Sequence, residues 1–256
     1  MNLRGCVSLV TGGGRRLGAG VSKQLAASGS DIAIHYRQSR QEAEATASEL
    51  AESGVRTSCF QADLSEAIEI ENLFTEVERE FGRLDVLVNS AANFDNERLE
   101  EIGVDQWDLV HSVNLRAPFL CTKFGAKLIR ESERQDEEPG LIVNIADLSG
   151  VLAWPGYSHH GASKAGLLHL TKVSARELAP SIRVNAVVPG AVLPPADATA
   201  ESRKWQELIQ TVPLGRAGNP THIGDTVVFL AQNDFVLGET IFVDGGEHLL
   251  GACHRQ

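Results

Sequence analysis

Basic residues are scarce in this chain. Lys and Arg number 23 against 34 Asp and Glu, a formal net charge of −11 over 256 residues. A polyanionic partner needs clustered cations, so neither nucleic acid nor an anionic membrane surface is an expected partner. Cysteine is sparse as well: Cys6, Cys59, Cys121 and Cys253 are widely spaced and form no CxxC pair. Cys6, Cys59 and Cys121 lie in apolar segments, which fits reduced core thiols and a cytoplasmic setting better than disulfides. No apolar run approaches the length a bilayer requires, and the first strand begins too early to leave room for a signal sequence. Repeats, low-complexity tracts and Ser/Gly/Pro-rich linkers are missing, so one domain over 1–256 is expected. His159 and His160 are adjacent, point apart on a helix and have no third ligand at suitable spacing, so no metal is expected.

What is present is alternation. Apolar residues make up 43% of the chain, enough for a sizeable core. Strand-like runs fall at Val7–Thr11, Asp31–Tyr36, Arg56–Gln61, Val86–Asn89, Leu141–Ile145, Arg183–Val188 and Glu239–Val243. They are almost continuously apolar, as when both faces of a parallel sheet are covered. Helix-like stretches between them are Leu17–Ser28, Ser39–Ser53, Ala67–Phe81, Asp105–Arg130, His160–Ala179 and Pro220–Ala231, with Ser65 as a candidate cap before the third. The fold class expected is α/β: a Rossmann-like, doubly wound parallel sheet of about seven strands with helices on both faces. Chemistry in such sheets sits at the carboxyl ends of the strands. The charged run Glu131–Glu138 reads as a solvated connection. Residues 191–212, with Pro194 and Pro195 and a short helix near Ser202–Gln210, read as a substrate loop over the site.

Thr11-Gly12-Gly13-Gly14-Arg15-Arg16-Leu17-Gly18-Ala19-Gly20 follows the first strand and opens the first helix. Glycines there allow a tight turn and close approach of backbone to a pyrophosphate lying on the positive helix end. After the second strand comes His35-Tyr36-Arg37-Gln38-Ser39-Arg40, without the acidic residue that would accept from a ribose 2′-hydroxyl. Arg37, Ser39 and Arg40 suit a 2′-phosphate instead, so NADP(H) is the expected cofactor; the alternative is a solvated loop with incidental arginines. Asp63 reads equally as an acceptor for the adenine amine or as a cap for the next helix.

These residues, with Ala62-Asp63-Leu64, Leu87-Val88-Asn89-Ser90-Ala91-Ala92, Asn114, Ser163-Lys164, Arg183-Val184-Asn185, Pro189-Gly190 and Val243-Asp244-Gly245-Gly246, resemble the short-chain dehydrogenase/reductase family over essentially the whole chain. Within it the chain looks most like pteridine and dihydropteridine-type reductases. Those have Arg at the middle-glycine position (Arg16), Asp where most members have a catalytic Ser (Asp147, thirteen residues before His160) and an aromatic after the fourth strand (Phe94). The resemblance implies a cofactor held by Gly12, Arg15, Arg16, Leu17, Gly18, Tyr36, Arg37, Ser39, Asp63, Leu64, Asn89, Ser90, Ala91, Lys164, Pro189 and Gly190.

By the same resemblance the catalytic group is Asp147, His160, Lys164 and Asn114, and the substrate-lining group is Arg16, Phe94, Asp147 and Tyr157. The chain departs from the family at His160, where the usual residue is tyrosine. Imidazole is a competent acid/base, but a neighbouring ammonium favours its neutral form and a neighbouring carboxylate its charged one. It also ends about 2 Å short of a tyrosine oxygen, against a hydrogen-bond window of about 2.6–3.2 Å. Phe94 reads either as a stacking platform or as a packing residue, Tyr157 as a pocket wall or a source of a hydroxyl. The function expected is NADPH-dependent reduction of a pteridine or similar flat heterocycle, probed against two alternatives: another carbonyl substrate, or a catalytically weak NADP- or pterin-binding homologue. A homotetramer is expected because most relatives are tetramers packed through the helices after the fourth and fifth strands.

Overall fold

Seven strands form one parallel sheet: β1 (Val7–Val10), β2 (Asp31–Tyr36), β3 (Thr57–Gln61), β4 (Val86–Asn89), β5 (Gly140–Ile145), β6 (Ile182–Pro189) and β7 (Thr240–Val243). Their spatial order is β3-β2-β1-β4-β5-β6-β7. The computed structural model describes residues 1–132, 138–195 and 199–254, with side chains through residue 250. The interior of the charged run 131–138 and residues 196–198 of the expected substrate loop therefore lie outside the described residues.

The alternation of strand side chains assigns each apolar residue to a face. Val10, Ile32, Ile34, Val86, Val88, Leu141 and Val143 pack on one side against α1 (Arg16–Ala27), α2 (Arg40–Ala51) and α8 (Pro220–Gln232). Val7, Leu9, Ala33, Leu87, Ile142 and Val184 pack on the other against α3 (Ala67–Phe81), α5 (Ala117–Glu131) and α6 (Ser158–Leu178). Leu9 and Leu87 are completely buried. Each such side chain contributes about 1.5–3 kcal/mol by leaving water. Two short helices, α4 (Val104–His111) and α7 (Arg203–Thr211), complete the set.

The long helix expected over 105–130 is interrupted. Ser112–Arg116 form a π-helical turn between α4 and α5. In a regular α-helix the Asn114 carbonyl would accept from residue 118, but that residue is Pro118 and has no N–H. The turn widens there, as π-bulges do near functional sites. Ser65 does not cap α3 either: its hydroxyl donates to the Asp63 carboxylate, and Glu66 holds the N-cap position in an extended conformation with no side-chain bond.

The strand order reverses between β1 and β4, which are hydrogen-bonded neighbours with Val10 opposite Val88. Loops leaving adjacent strands in opposite directions open a crevice at such a switch point. Thr11 pins both sides of it. Its amide donates to Val88 O at 3.0 Å, and its Oγ1 accepts from the amides of Ser90 and Ala91 at 2.9 and 3.0 Å.

Candidate active site

The glycine turn is held at several points from below. Gly12 has φ of +65°, a left-handed conformation that suits glycine. A Cβ on Gly18 would lie 2.2 Å from the Gly12 carbonyl oxygen, so the start of α1 packs directly on the turn. Ser22 Oγ donates to Gly13 O at 3.0 Å and Thr46 Oγ1 to Gly14 O at 2.9 Å. The first-turn amides of α1 have no intrahelical acceptor and face the crevice end of the helix. Arg15 and Arg16 are exposed there. Arg16 adopts φ of +50°, a strained value for a side chain other than glycine, and its Nη2 donates to Pro194 O at 2.6 Å. The guanidinium thus bridges the crevice to the segment after β6.

At the β2–β3 end of the crevice Tyr36 and Leu64 are buried. Arg37 Nε lies 2.9 Å from Asp63 Oδ2, and Asp63 Oδ1 accepts from the Ser65 amide and hydroxyl at 2.9 and 2.7 Å. Partial burial pushes the Asp63 carboxyl up, but the two Ser65 bonds and the Arg37 charge outweigh it and hold the group below the usual carboxylate range. Asp63 is therefore an Asx-turn and ion-pair residue, not the N-cap of α3. Ser39 sits at the N-cap of α2 with no side-chain bond to an amide, and Arg40 lies over the Tyr36 ring, 5.8 Å from its centroid.

The opposite end is a buried polar array. Asn89 Nδ2 donates to Asn144 Oδ1 at 2.8 Å, and Asn144 Nδ2 to Thr171 Oγ1 at 2.9 Å. Asn89 Oδ1 is buried with no partner among the described residues. Lys164 Nζ donates to Ile145 O at 2.8 Å; burial lowers its pKa to about 8 against the upward pull of Asp147. The π-turn brings Asn114 to the same place. Its Oδ1 accepts from Asn93 N at 2.8 Å and its Nδ2 donates to Asn93 O at 2.9 Å.

His160 is buried among these groups. Its Nδ1 lies 2.9 Å from Asn93 O, and a carbonyl can only accept, so Nδ1 carries hydrogen. Asn114 Nδ2 lies 3.1 Å from the same nitrogen. Among the described residues His160 Nε2 has no hydrogen-bond partner; it sits 3.8 Å from Asp147 Oδ1, which itself accepts from Ser149 N at 2.8 Å. Burial first and the Lys164 charge second lower the His160 pKa to about 4; Asp147 pulls the other way and loses. At neutral pH the ring is neutral, with a bare Nε2 facing a carboxyl group.

Aromatic rings close this end. Phe94 is 46% exposed, stacks on Tyr157 with centroids 4.9 Å apart and meets the His160 ring edge-on at 4.8 Å. Trp154 stands edge-on to Tyr157 at 5.9 Å. Pro189 closes β6, and Gly190 N donates to Val243 O at 3.2 Å, with its Cα backed onto Asp244.

A family model described as Enoyl-(Acyl carrier protein) reductase matches residues 14–248. A 3-oxoacyl-[acyl-carrier-protein] reductase FabG of Staphylococcus aureus is 37% identical over 247 residues, covering 94% of this chain and 98% of its own. The chain belongs to the short-chain dehydrogenase/reductase family. Among solved structures, a dehydrogenase/reductase from Sinorhizobium meliloti superposes with a TM-score of 0.88 at 35% identity, over 96% of this chain and 97% of the other. FolM alternative dihydrofolate reductase 1 from Brucella canis, complexed with NADP, gives 0.86 at 32% identity over 97% and 96%.

In this reductase the residues expected at the site fall into two groups along the crevice. Gly12, Arg16, Gly18, Tyr36, Arg37, Ser39, Asp63 and Leu64 line its β1–β3 side; Asn89, Asn114, Asp147, His160, Lys164, Phe94 and Tyr157 line the β4–β6 side. Four contributors escape sequence reasoning: Asn93, Asn144, Thr171 and the ring of His35. Asn93 and Asn144 act through backbone and amide contacts that no spacing rule encodes. Thr171 offers a faint signal, lying two helical turns beyond Lys164 on one face of α6.

Proposed function

We propose that this reductase uses NADP(H) to reduce a flat, polar heterocycle of the pteridine class, with the Asp147–His160 pair delivering the proton. The observation that carries the reading is that pair: an Asp at 147 facing the unpartnered Nε2 of His160 across 3.8 Å. Support comes also from Arg16, whose guanidinium already reaches a carbonyl across the crevice, and from the likeness to a protein described as an alternative dihydrofolate reductase complexed with NADP.

The residues fit the cofactor. The turn at Gly12 and Gly18 leaves no room for a Cβ on Gly18, Asn89 Oδ1 is an orphaned buried acceptor suited to an amide, and Arg37 keeps its terminal nitrogens beyond the Asp63 bond. Gly12, Arg15, Leu17 and Gly18 would hold the pyrophosphate, Arg37 and Ser39 the 2′-phosphate, Tyr36, Asp63 and Leu64 the adenosine, and Asn89, Ser90, Ala91, Lys164, Pro189 and Gly190 the nicotinamide riboside. When bound, the reduced form supplies the hydride. Lys164, fixed on Ile145 O, holds a positive charge beside the reacting region. Asn93 O fixes the His160 tautomer through Nδ1, so any proton offered from this ring leaves Nε2 or passes from Asp147. Phe94 and Tyr157 form an aromatic wall on which a planar ring can stack, and Trp154 supports it from behind.

One further reading has its own support: reduction of a 3-oxoacyl thioester, favoured by the 37% identity to FabG. A panel of dihydropteridines, dihydrofolate and acetoacetyl thioesters, read by NADPH oxidation, separates the two. Pteridine turnover at least about tenfold above thioester turnover in kcat/KM supports the proposal, and the reverse order replaces it. Absence of turnover on every substrate, with NADPH still bound, identifies a binding homologue. The reading extends to a single functional unit with residues 191–212 as substrate loop, a cytoplasmic location and a homotetramer. Phe119 and Trp107, exposed on α5 and α4, support that packing, and light scattering measures it.

A further inference from the structure

The His35 imidazole, on β2, lies between the turn that follows β1 and the loop that follows β3, and touches both. Its Nδ1 accepts from Gly12 N at 3.0 Å, and its Nε2 lies 3.0 Å from Ala62 O. Since that carbonyl cannot donate, Nε2 carries the hydrogen and Nδ1 is bare, which is the tautomer the Gly12 amide requires. The backbone of the same residue takes the next amide: Gly13 N donates to His35 O at 3.1 Å. Two consecutive amides of the glycine turn thus bond one residue on β2, the second of them shared with Val10 O at 3.2 Å. The following amides, at Gly14 and the first turn of α1, lie at the helix N-terminus, where a helix offers them no carbonyl of its own.

On the other side, Ala62 precedes Asp63, which is ion-paired to Arg37. One ring therefore sets the spacing between the turn that would carry the pyrophosphate and the loop that would carry the adenosine. The ring is 2% exposed, and burial keeps it neutral. A filler of the core would need its shape alone; here both nitrogens are used, in opposite roles, on the two loops that flank β2.

We infer that His35 is a positioning residue for cofactor capture: its Nδ1 lone pair orients the Gly12 peptide, and thereby the pyrophosphate-binding amides that follow. This rests on the nucleotide-cofactor reading above. Asn and Gln divide the function of the ring. An Asn side chain ends near the Nδ1 position and can accept from Gly12 N. A Gln side chain ends near Nε2 and can donate to Ala62 O.

The test is titration of the full-length protein with NADPH and with NADH, for the native chain, H35N, H35Q, H35F and R37A, with steady-state kinetics and melting curves alongside. An unsatisfied Gly12 amide should weaken both cofactors by about tenfold or more in H35Q and H35F, raising KM for the cofactor with kcat within about twofold, while H35N stays within about threefold of native. R37A should weaken NADPH alone, which separates the Gly12 clamp from the 2′-phosphate contact. H35F binding within twofold of native, or H35N as weak as H35Q, overturns the inference. If H35F does not fold, the order of H35N and H35Q decides. Failure of the native protein to bind NADPH while binding NADH sinks the 2′-phosphate reading and leaves the His35 order to be read on NADH.

Discussion

At the scale of single residues, two side chains are held in states that cost free energy. Arg16 occupies φ of +50° where glycine would rest without strain. R16G should raise stability by roughly 1 kcal/mol, seen as a higher urea midpoint, and should lower kcat/KM for a pteridine substrate by tenfold or more. An unchanged kcat/KM would remove Arg16 from the substrate site. His160 is the second. With its pKa near 4, only a small fraction of the ring is charged at pH 7, so an acid built on it gains protonated form as pH falls. Turnover at saturating cofactor should rise close to tenfold per unit from pH 7 to about pH 5, and D147N should lower it by about 10²-fold or more. A flat profile over that range would assign the proton to another group. The motif around Lys164 made His160 visible in the sequence. The tautomer was not, because it is decided by the Asn93 carbonyl, which approaches from a loop 67 residues away.

At the scale of elements, sequence patterning was most informative where both faces of a strand are covered. All seven strands fall within a residue or so of their apolar runs, most sharply β1, β4, β5 and β6, which are buried from end to end. The helix over 105–130 was legible as helix but not as a broken one. Its apolar pattern continues through the break, and the signal was a missing donor, Pro118, four residues after Asn114. P118A restores the amide and lets the turn close toward α-helical geometry. The expectation is equal or higher thermal stability with kcat reduced at least about fivefold, because Asn114 retreats from Asn93 and His160. Retained kcat in P118A would show that the widened turn is not what delivers Asn114.

At the scale of the whole molecule, the two buried imidazoles make the fold acid-sensitive. His35 and His160 both have folded-state pKa values near 4, below the ordinary 6.5. Between those values the unfolded chain binds more protons than the native one, so stability falls as pH drops from about 6.5 to 4 and is independent of these groups above 7. His35 alone accounts for about 2 kcal/mol of loss at pH 5. Chemical denaturation at pH 7 and pH 5 measures the sum of the two, and H35N should recover about half of that difference. The overall architecture and cofactor crevice were readable from order and spacing, whereas the contact between Arg16 and Pro194 joins positions 178 residues apart that no local pattern links. That contact has a kinetic consequence. The Arg16 bond to Pro194 O ties the first residues after β6 to the glycine turn, so under the proposed function a dinucleotide settling on that turn and the chain leading into residues 191–212 share one tether. The expectation that follows is a compulsory order of arrival, dinucleotide first and its spent form last to leave, which product-inhibition patterns measure and which loss of the tether in R16G should turn toward random order.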